Sequence, residues 1–500
     1  MNITSERGRQ RRTDLLLEVT IVLIVFFIAL RVPFDTDFFW HLEAGKLTVE
    51  QHRPLLIDTF SFTKNGAAWV NHSWLSQVIF YLIYKFFSFP GIMILVAVVT
   101  TSTMNLIFKS MKGNAFLRVI LIVLAVLISA VVWSPRPQIF SLLCFAILYR
   151  WINKFDETCN KKYLFLVVAL FLLWSNLHAG FSIGIVYIVL FAGGKLLDLI
   201  FSREVSKTEK EKLLLLLLLV LACSLAVCIN PNGLNVWKVQ FDTVSVRSLQ
   251  NQIDEWASPD FHVLAEQPYL WIWLLFVFFV SMTKQEMAFQ KIFPIIVFGG
   301  LGFLSKRNYA PFAVIVFPML STLIELFYEQ RIKPLPIFSR IKSSSSILNR
   351  TPRPIVQKGI NLFLVALLGL AVMIKIAYLG NSLVLKTYET KLFPAQALAY
   401  LEKEGVSPGN MLNSYAWGGY IHWKNPAIPV FVDGRTDLFG DAIIQDWITL
   451  VSANTGYEDL LRKYQIGWVF LEKGNPILDE LIRIGWKINY QDQNSVIVSK

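Results

Sequence analysis

Cysteine is scarce, with four residues in a chain of 500. Cys144, Cys223 and Cys228 sit in apolar runs and Cys159 in a short basic loop, a pattern that excludes both a disulfide framework and zinc-ligand spacing. Charge is scarce too. Asp, Glu, Lys and Arg make up 16% of the chain against a hydrophobic share of 55%, and mean hydropathy is +0.51, so an ordinary soluble protein is excluded and the bilayer is the solvent for most of the sequence. No Gly-X-Gly-X-X-Gly run supports a nucleotide site. The absence of an internal repeat, with almost no ionisable residue at the centres of the apolar runs, counts against a transporter built from inverted repeats around a midplane site. The net charge of +12 does not indicate nucleic acid, because the basic residues are dispersed among short loops.

Apolar runs of membrane-spanning length are abundant. They cover 15–32, 91–108, 115–133, 139–151, 163–178, 182–201, 213–229, 269–282, 292–304, 309–327 and 359–379. The first follows Arg7, Arg9, Arg11 and Arg12 but is too long for a signal-peptide core and lacks a cleavage site, so it reads as a retained span. The run 74–87 is only about fourteen residues long and reads as a helix lying in the interface. With that parity, basic loops carrying Lys109, Lys112 and Arg118, then Arg150 to Lys162, Arg203 to Lys212 and Arg331 to Arg353 all face the cytoplasm with the amino terminus. Ser343 to Ser346 form a flexible connector in the last of these loops. The expected architecture is a polytopic α-helical protein of the cytoplasmic membrane, with about 11 transmembrane helices over 1–380 and a first outer loop at 33–90. A soluble extracytoplasmic α/β domain follows over 385–500.

This topology gathers the distinctive residues on the outer face. Asp35 and Asp37, directly after the first span, are two carboxylates near the bilayer surface that suit a general base or the ligands of a divalent cation, Mg or Mn. The same pair could instead cap the next helix. His41, His72 and His178 could polarise a phosphate, shuttle a proton or serve as interfacial hydrogen-bonding groups. His72 stands with the two aspartates as a candidate catalytic group, and Asn176 beside His178 as a substrate contact. Arg136, rigid between Pro135 and Pro137, and Arg307 could clamp a lipid phosphate, or pair with Asp254 or Glu255. Trp40, Trp69, Trp74, Trp133 and Trp256 form an aromatic belt.

In the carboxy-terminal region, predicted helices at 394–404, 441–452, 458–464 and 476–484 alternate with strands at 411–415, 429–433, 468–471, 487–490 and 496–499. Phe431-Val432-Asp433-Gly434-Arg435-Thr436-Asp437 runs from a strand into a turn, the place where α/β sheets put ligands, which makes Asp433, Arg435 and Asp437 candidate substrate contacts. An Asp-Gly turn closed by an Asp to Arg pair is the structural alternative. Trp417-Gly418-Gly419-Tyr420 could form a neighbouring wall.

Asp35-Thr36-Asp37 after the first span, the long outer loop ending in a flat apolar helix, Ser134-Pro135 at a later outer boundary and the exported α/β region resemble the GT-C class of integral membrane glycosyltransferases. That class includes protein O-mannosyltransferases, the lipid A aminoarabinose transferase and the catalytic subunit of oligosaccharyltransferase. Asp-X-Asp-aromatic-aromatic-Trp-His with a distal Val-Asp-Gly-Arg-Thr-Asp looks like a bacterial branch of it. The resemblance implies inverting transfer of a sugar from a polyprenyl-phosphate carrier to a glycan, lipid or protein acceptor outside the membrane, with Asp35 or Asp37 as base or metal ligand. The alternatives are a transporter or flippase of an anionic lipid or polysaccharide, and a non-catalytic envelope assembly protein. The last predicts that Asp35, Asp37 and His72 do not converge.

Overall fold

A computed structural model describes residue 16 and residues 18–202, 206–246, 248, 255–283, 287–335, 354–405 and 409–500. Arg7 to Arg12, Arg203, Asp254, the basic residues between 340 and 353 and the 343–346 connector lie outside the described residues.

Helices dominate: α1 (Glu18–Ala29), α2 (Phe38–Gln51), α3 (Trp74–Ser110), α4 (Ala115–Ser129), α5 (Gln138–Thr158), α6 (Lys162–Leu177) and α7 (Phe181–Phe201). After them come α8 (Lys207–Ala226), α9 (Lys238–Ser245), α10 (Gln267–Met282), α11 (Phe289–Leu304), α12 (Tyr309–Phe327) and α13 (Pro354–Leu379). Each predicted span falls on one of these helices. Five helical segments, Trp74–Ser110, Ala115–Val132, Phe181–Phe201, Lys306–Ile332 and Lys358–Leu379, are long and apolar enough to cross a bilayer, and α1, α6, α10 and α11 are shorter apolar helices. Burial separates their roles: 72% of the apolar window around α12 is packed inside the bundle but only 6% of that in α13, so α12 is central and α13 peripheral.

At ~1.5 Å per residue, 37 residues of unbroken α3 would far exceed a hydrocarbon core of roughly 30 Å. The helix is broken instead. Ser88 takes non-helical angles (φ 52°, ψ −156°) and Pro90 follows it, dividing the predicted interfacial segment from the span after it. Gly45 of α2 lies against the Gln77 carbonyl, where a Cβ would approach to 2.1 Å, so α2 can rest directly on the first segment of α3.

Beyond the bundle come α14 (Ser382–Leu392), α15 (Ala395–Lys403), β1 (Met411–Asn413), α16 (Gly418–Lys424), α17 (Thr436–Val451) and α18 (Tyr457–Lys463). β2 (Trp468–Glu472), α19 (Pro476–Arg483), β3 (Lys487–Gln491) and β4 (Ser495–Ser499) complete the chain. The sheet order is β1-β2-β4-β3, with β1 parallel to β2 and β4 antiparallel to both its neighbours. The predicted strand at 429–433 does not form. Only Val430 makes bridges, to Met411 and to Ser61, because the Asn413 side chain takes the Phe431 N–H and the Val432 carbonyl out of any ladder. The bridge to Ser61 draws the first loop onto the sheet, and Leu55, Phe60, Trp69 and Trp40 share one apolar core with Phe431, Val432 and Phe439. The first loop is therefore clamped between bundle and sheet.

Candidate active site

Asp35 organises the turn that leads into α2. Its Oδ1 accepts the Asp37 N–H at 2.9 Å, and its carbonyl accepts the Phe38 N–H. Asp37 precedes the helix but makes no side-chain cap. Its carboxylate instead turns to Arg136, which Pro135 and Pro137 hold just ahead of α5. Arg136 Nε donates to Asp35 Oδ1 at 2.6 Å, while Nη1 lies 2.9 Å from Asp37 Oδ2 and 3.5 Å from Glu255 Oε1. One guanidinium thus serves three carboxylates. Burial pushes the Asp37 carboxyl up to about 7; Arg136 opposes that shift, and Asp35 and Glu255 reinforce it. Arg136 stays charged, since its three anionic partners outweigh the cost of burial.

All three predicted histidines lie at this end of the bundle. His178 Nδ1 accepts the Gly180 N–H at 3.1 Å and lies 2.8 Å from Ser141 Oγ, which itself accepts from Trp174 Nε1. His41 Nδ1 faces the Gln77 amide nitrogen at 3.4 Å, and Gln77 is fixed by a reciprocal amide pair with Asn71. His72 Nδ1 lies 2.8 Å from Ser73 Oγ, and its ring meets that of His178 edge-on at 5.5 Å. Burial holds all three below the ordinary imidazole range.

The turn after Val432 divides its residues between two tasks. Asp433 and Arg435 are fully buried, with Arg435 Nη2 2.7 Å from Asp433 Oδ2 and Nη1 2.7 Å from Asp58 Oδ1, and the guanidinium packs on Phe60 and Trp69. They join the first loop to the carboxy-terminal region and are not among the residues that line the cavity described below. Gly434, Thr436 and Asp437 do reach it. Burial raises the Asp437 carboxyl, an effect opposed by neighbouring His72. Asn176 is also absent from the cavity; it accepts from Trp74 Nε1 and donates to the Ile229 carbonyl.

A cavity of about 420 Å³ collects these groups. Asp37, His41, His72, Arg136, His178, Glu255, Arg307 and Asp437 line it, with Val132, Leu142, Phe145, Ile183 and Pro311 forming apolar wall. Asp35 is not among the lining residues and reaches the site through its contact with Arg136. Arg307 lies over Trp256 at 5.5 Å and makes no ion pair among the described residues, so it is the cavity's uncommitted arginine. Sequence reasoning passed over Tyr415, Ser141 and Gln240, which also line the cavity. None belongs to a motif, and only the fold brings them in.

The two carboxylates expected to hold Mg or Mn are both engaged by Arg136. No group of three or more His, Cys, Asp or Glu side chains among the described residues could hold a metal ion.

Comparison with solved structures shows that the fold is that of the GT-C glycosyltransferases. The oligosaccharyltransferase of Archaeoglobus fulgidus, solved tethered to an acceptor peptide containing the NVT sequon, matches 91% of this chain and 69% of its own with a TM-score of 0.53 at 12% identity. ArnT from Cupriavidus metallidurans matches over 97% of both chains in its undecaprenyl phosphate complex (TM-score 0.51, 11% identity). Its apo form matches over 98% of both (TM-score 0.52, 10% identity). At such identities the likeness is one of fold. No protein-family model and no curated protein matches the chain.

Proposed function

We propose that this protein is a membrane glycosyltransferase that moves a sugar from a polyprenyl-phosphate carrier to an acceptor on the outer face of the cytoplasmic membrane. The observation that carries the reading is a single cavity, on a GT-C fold, that combines an apolar wall from the helix ends with a near-neutral carboxyl, Asp37, and an uncommitted guanidinium, Arg307. An amphipathic donor suits such a space: its chain lies along the apolar wall and its phosphate near Arg307. The convergence of Asp37 and His72 on this cavity favours an enzyme over an assembly factor.

In the proposed step the anomeric C–O bond to phosphate breaks and its electron pair stays on the phosphate oxygen. The acceptor oxygen or nitrogen bonds to the same carbon from the opposite side, and its proton passes to Asp37. The products are polyprenyl phosphate and an inverted glycoside. The leaving group is already an anion, so charge stabilisation by Arg307 matters more than its protonation. Arg136 positions Asp37 and is not free for the phosphate, which narrows the two candidate clamps to Arg307. Radiolabel transfer from polyprenyl-phosphate sugars in membranes containing this protein tests the reading. Absence of transfer from every such donor, with the protein inserted and folded, would refute it.

A further inference from the structure

The three histidines share one arrangement. Each Nδ1 is engaged with the protein: His178 by the Gly180 N–H, His41 by the Gln77 amide and His72 by the Ser73 hydroxyl. Among the described residues none of the three Nε2 atoms has a hydrogen-bond partner, and none is among the polar atoms sealed inside the protein, so Nε2 is the edge each ring offers to the cavity. A ring whose Nδ1 accepts a hydrogen bond carries its proton on Nε2 when neutral. The Gly180 N–H fixes that tautomer for His178, and the Ser73 hydroxyl and Gln77 amide permit the same tautomer at His72 and His41, so the cavity can present a row of neutral N–H donors.

Such donors solve a charge problem. Asp37, Glu255 and Asp437 face the cavity, and Arg136 is already engaged by the first two. Neutral N–H groups add no charge to that balance and can donate to phosphate oxygens beside one uncommitted guanidinium. A phosphate recognised this way keeps its hydrogen bonds without displacing the Arg136 cluster.

We propose that His41, His72 and His178 form the phosphoryl-binding set of the cavity, donating from Nε2 to the non-bridging oxygens of a lipid phosphate whose charge Arg307 balances. This rests on the glycosyltransferase reading for the carrier as the natural source of that phosphate; a phospholipid headgroup offers the same chemistry.

The experiment uses the full chain in phosphatidylcholine nanodiscs, with a polyprenyl phosphate, the matching polyprenol and phosphatidylglycerol as probes. Asn at a histidine position keeps a group for the inner hydrogen bond but loses the outer donor, whereas Gln places an N–H near the Nε2 position. The wild type is expected to prefer polyprenyl phosphate to polyprenol at least tenfold. That preference is expected to vanish in His178→Asn and His72→Asn and to survive largely in His178→Gln, with thermal unfolding unchanged. Equal binding of phosphatidylglycerol assigns the site to headgroups and retains the histidine set. Undiminished phosphate preference in both Asn variants overturns the histidine set and leaves the transferase reading standing. A wild type that binds no phosphate probe overturns both. Should His178→Asn fail to fold, the Asn and Gln pair at His72 decides alone.

Discussion

Gly434 of the carboxy-terminal turn abuts Asp37 of the first loop so closely that a methyl group on its α-carbon would come within 1.8 Å of Asp37 Oδ1 and 2.8 Å of Trp40 Nε1. Its backbone is outside the left-handed region, so alanine meets no conformational strain there and the only penalty is steric. Asp37 cannot yield easily, being held by Arg136. Gly434→Ala is therefore expected to lower transfer on the order of 100-fold and to lower the melting temperature as well, by overpacking. Full activity in this variant would show that the turn does not set the position of Asp37.

Asp37 is expected to give the proposed transfer its pH dependence. With its carboxyl near 7, the group is protonated and unable to accept a proton below that pH, and is competent above it. The pH profile of kcat/KM is expected to rise through about 7. Glu255→Gln removes one of the charges that raise the carboxyl and should move the midpoint to lower pH. Asp37→Asn should cost roughly 100- to 10,000-fold. A profile that ignores Glu255 would place the titrating group elsewhere.

The buried Asp58, Arg435 and Asp433 cluster is a structural clamp. Removing one partner strands a buried charge, so Arg435→Met is expected to destabilise the protein by about 3–5 kcal/mol. Burial raises the Asp58 carboxyl, but Arg435, the Ser61 hydroxyl and the Phe60 N–H outweigh that and hold it below its ordinary range. Its stabilisation is present above the unfolded value of about 4 and is lost as pH falls below it. Thermal melts of wild type and variant between pH 3 and 7 measure this, and coincident melts would contradict it.

Because Arg136 satisfies Asp35 and Asp37, transfer is expected to persist within about twofold after EDTA treatment and to gain nothing from Mg or Mn. Loss on chelation with recovery on adding back one metal would reinstate a cation site.

Cys159 is an exposed thiol on the turn between α5 and α6, at the opposite end of those helices from Arg136 and His178. Charged, membrane-impermeant maleimide should label it only after permeabilisation of intact cells. Labelling without permeabilisation would reverse the proposed orientation and carry the cavity to the cytoplasm.

Helix positions were legible because apolar runs and their basic flanks are local signals. The predicted helices at 394–404, 458–464 and 476–484 and strands at 468–471 and 487–490 recur within a residue or two, since their periodicity needs no distant partner. The strand at 429–433 failed for a non-local reason, the Asn413 side chain. The same distinction runs through the site. His41, His72 and His178 stood out as histidines at span ends, yet which ring nitrogen faces outward depends on Gln77, Ser73 and Gly180.

By itself, the sequence determined that this chain is built of membrane-type apolar helices, roughly where those helices lie, and which connections carry acids, histidines and arginines, because hydropathy and composition act over one turn or one strand at a time. Only the tertiary structure decided that Arg136 belongs to three carboxylates and Arg307 to none among the described residues, and that Asp433 and Arg435 are buried while Asp437, two residues on, lines the cavity. Charge pairing operates through space between residues roughly one hundred or more apart in sequence, and only folding sets that separation.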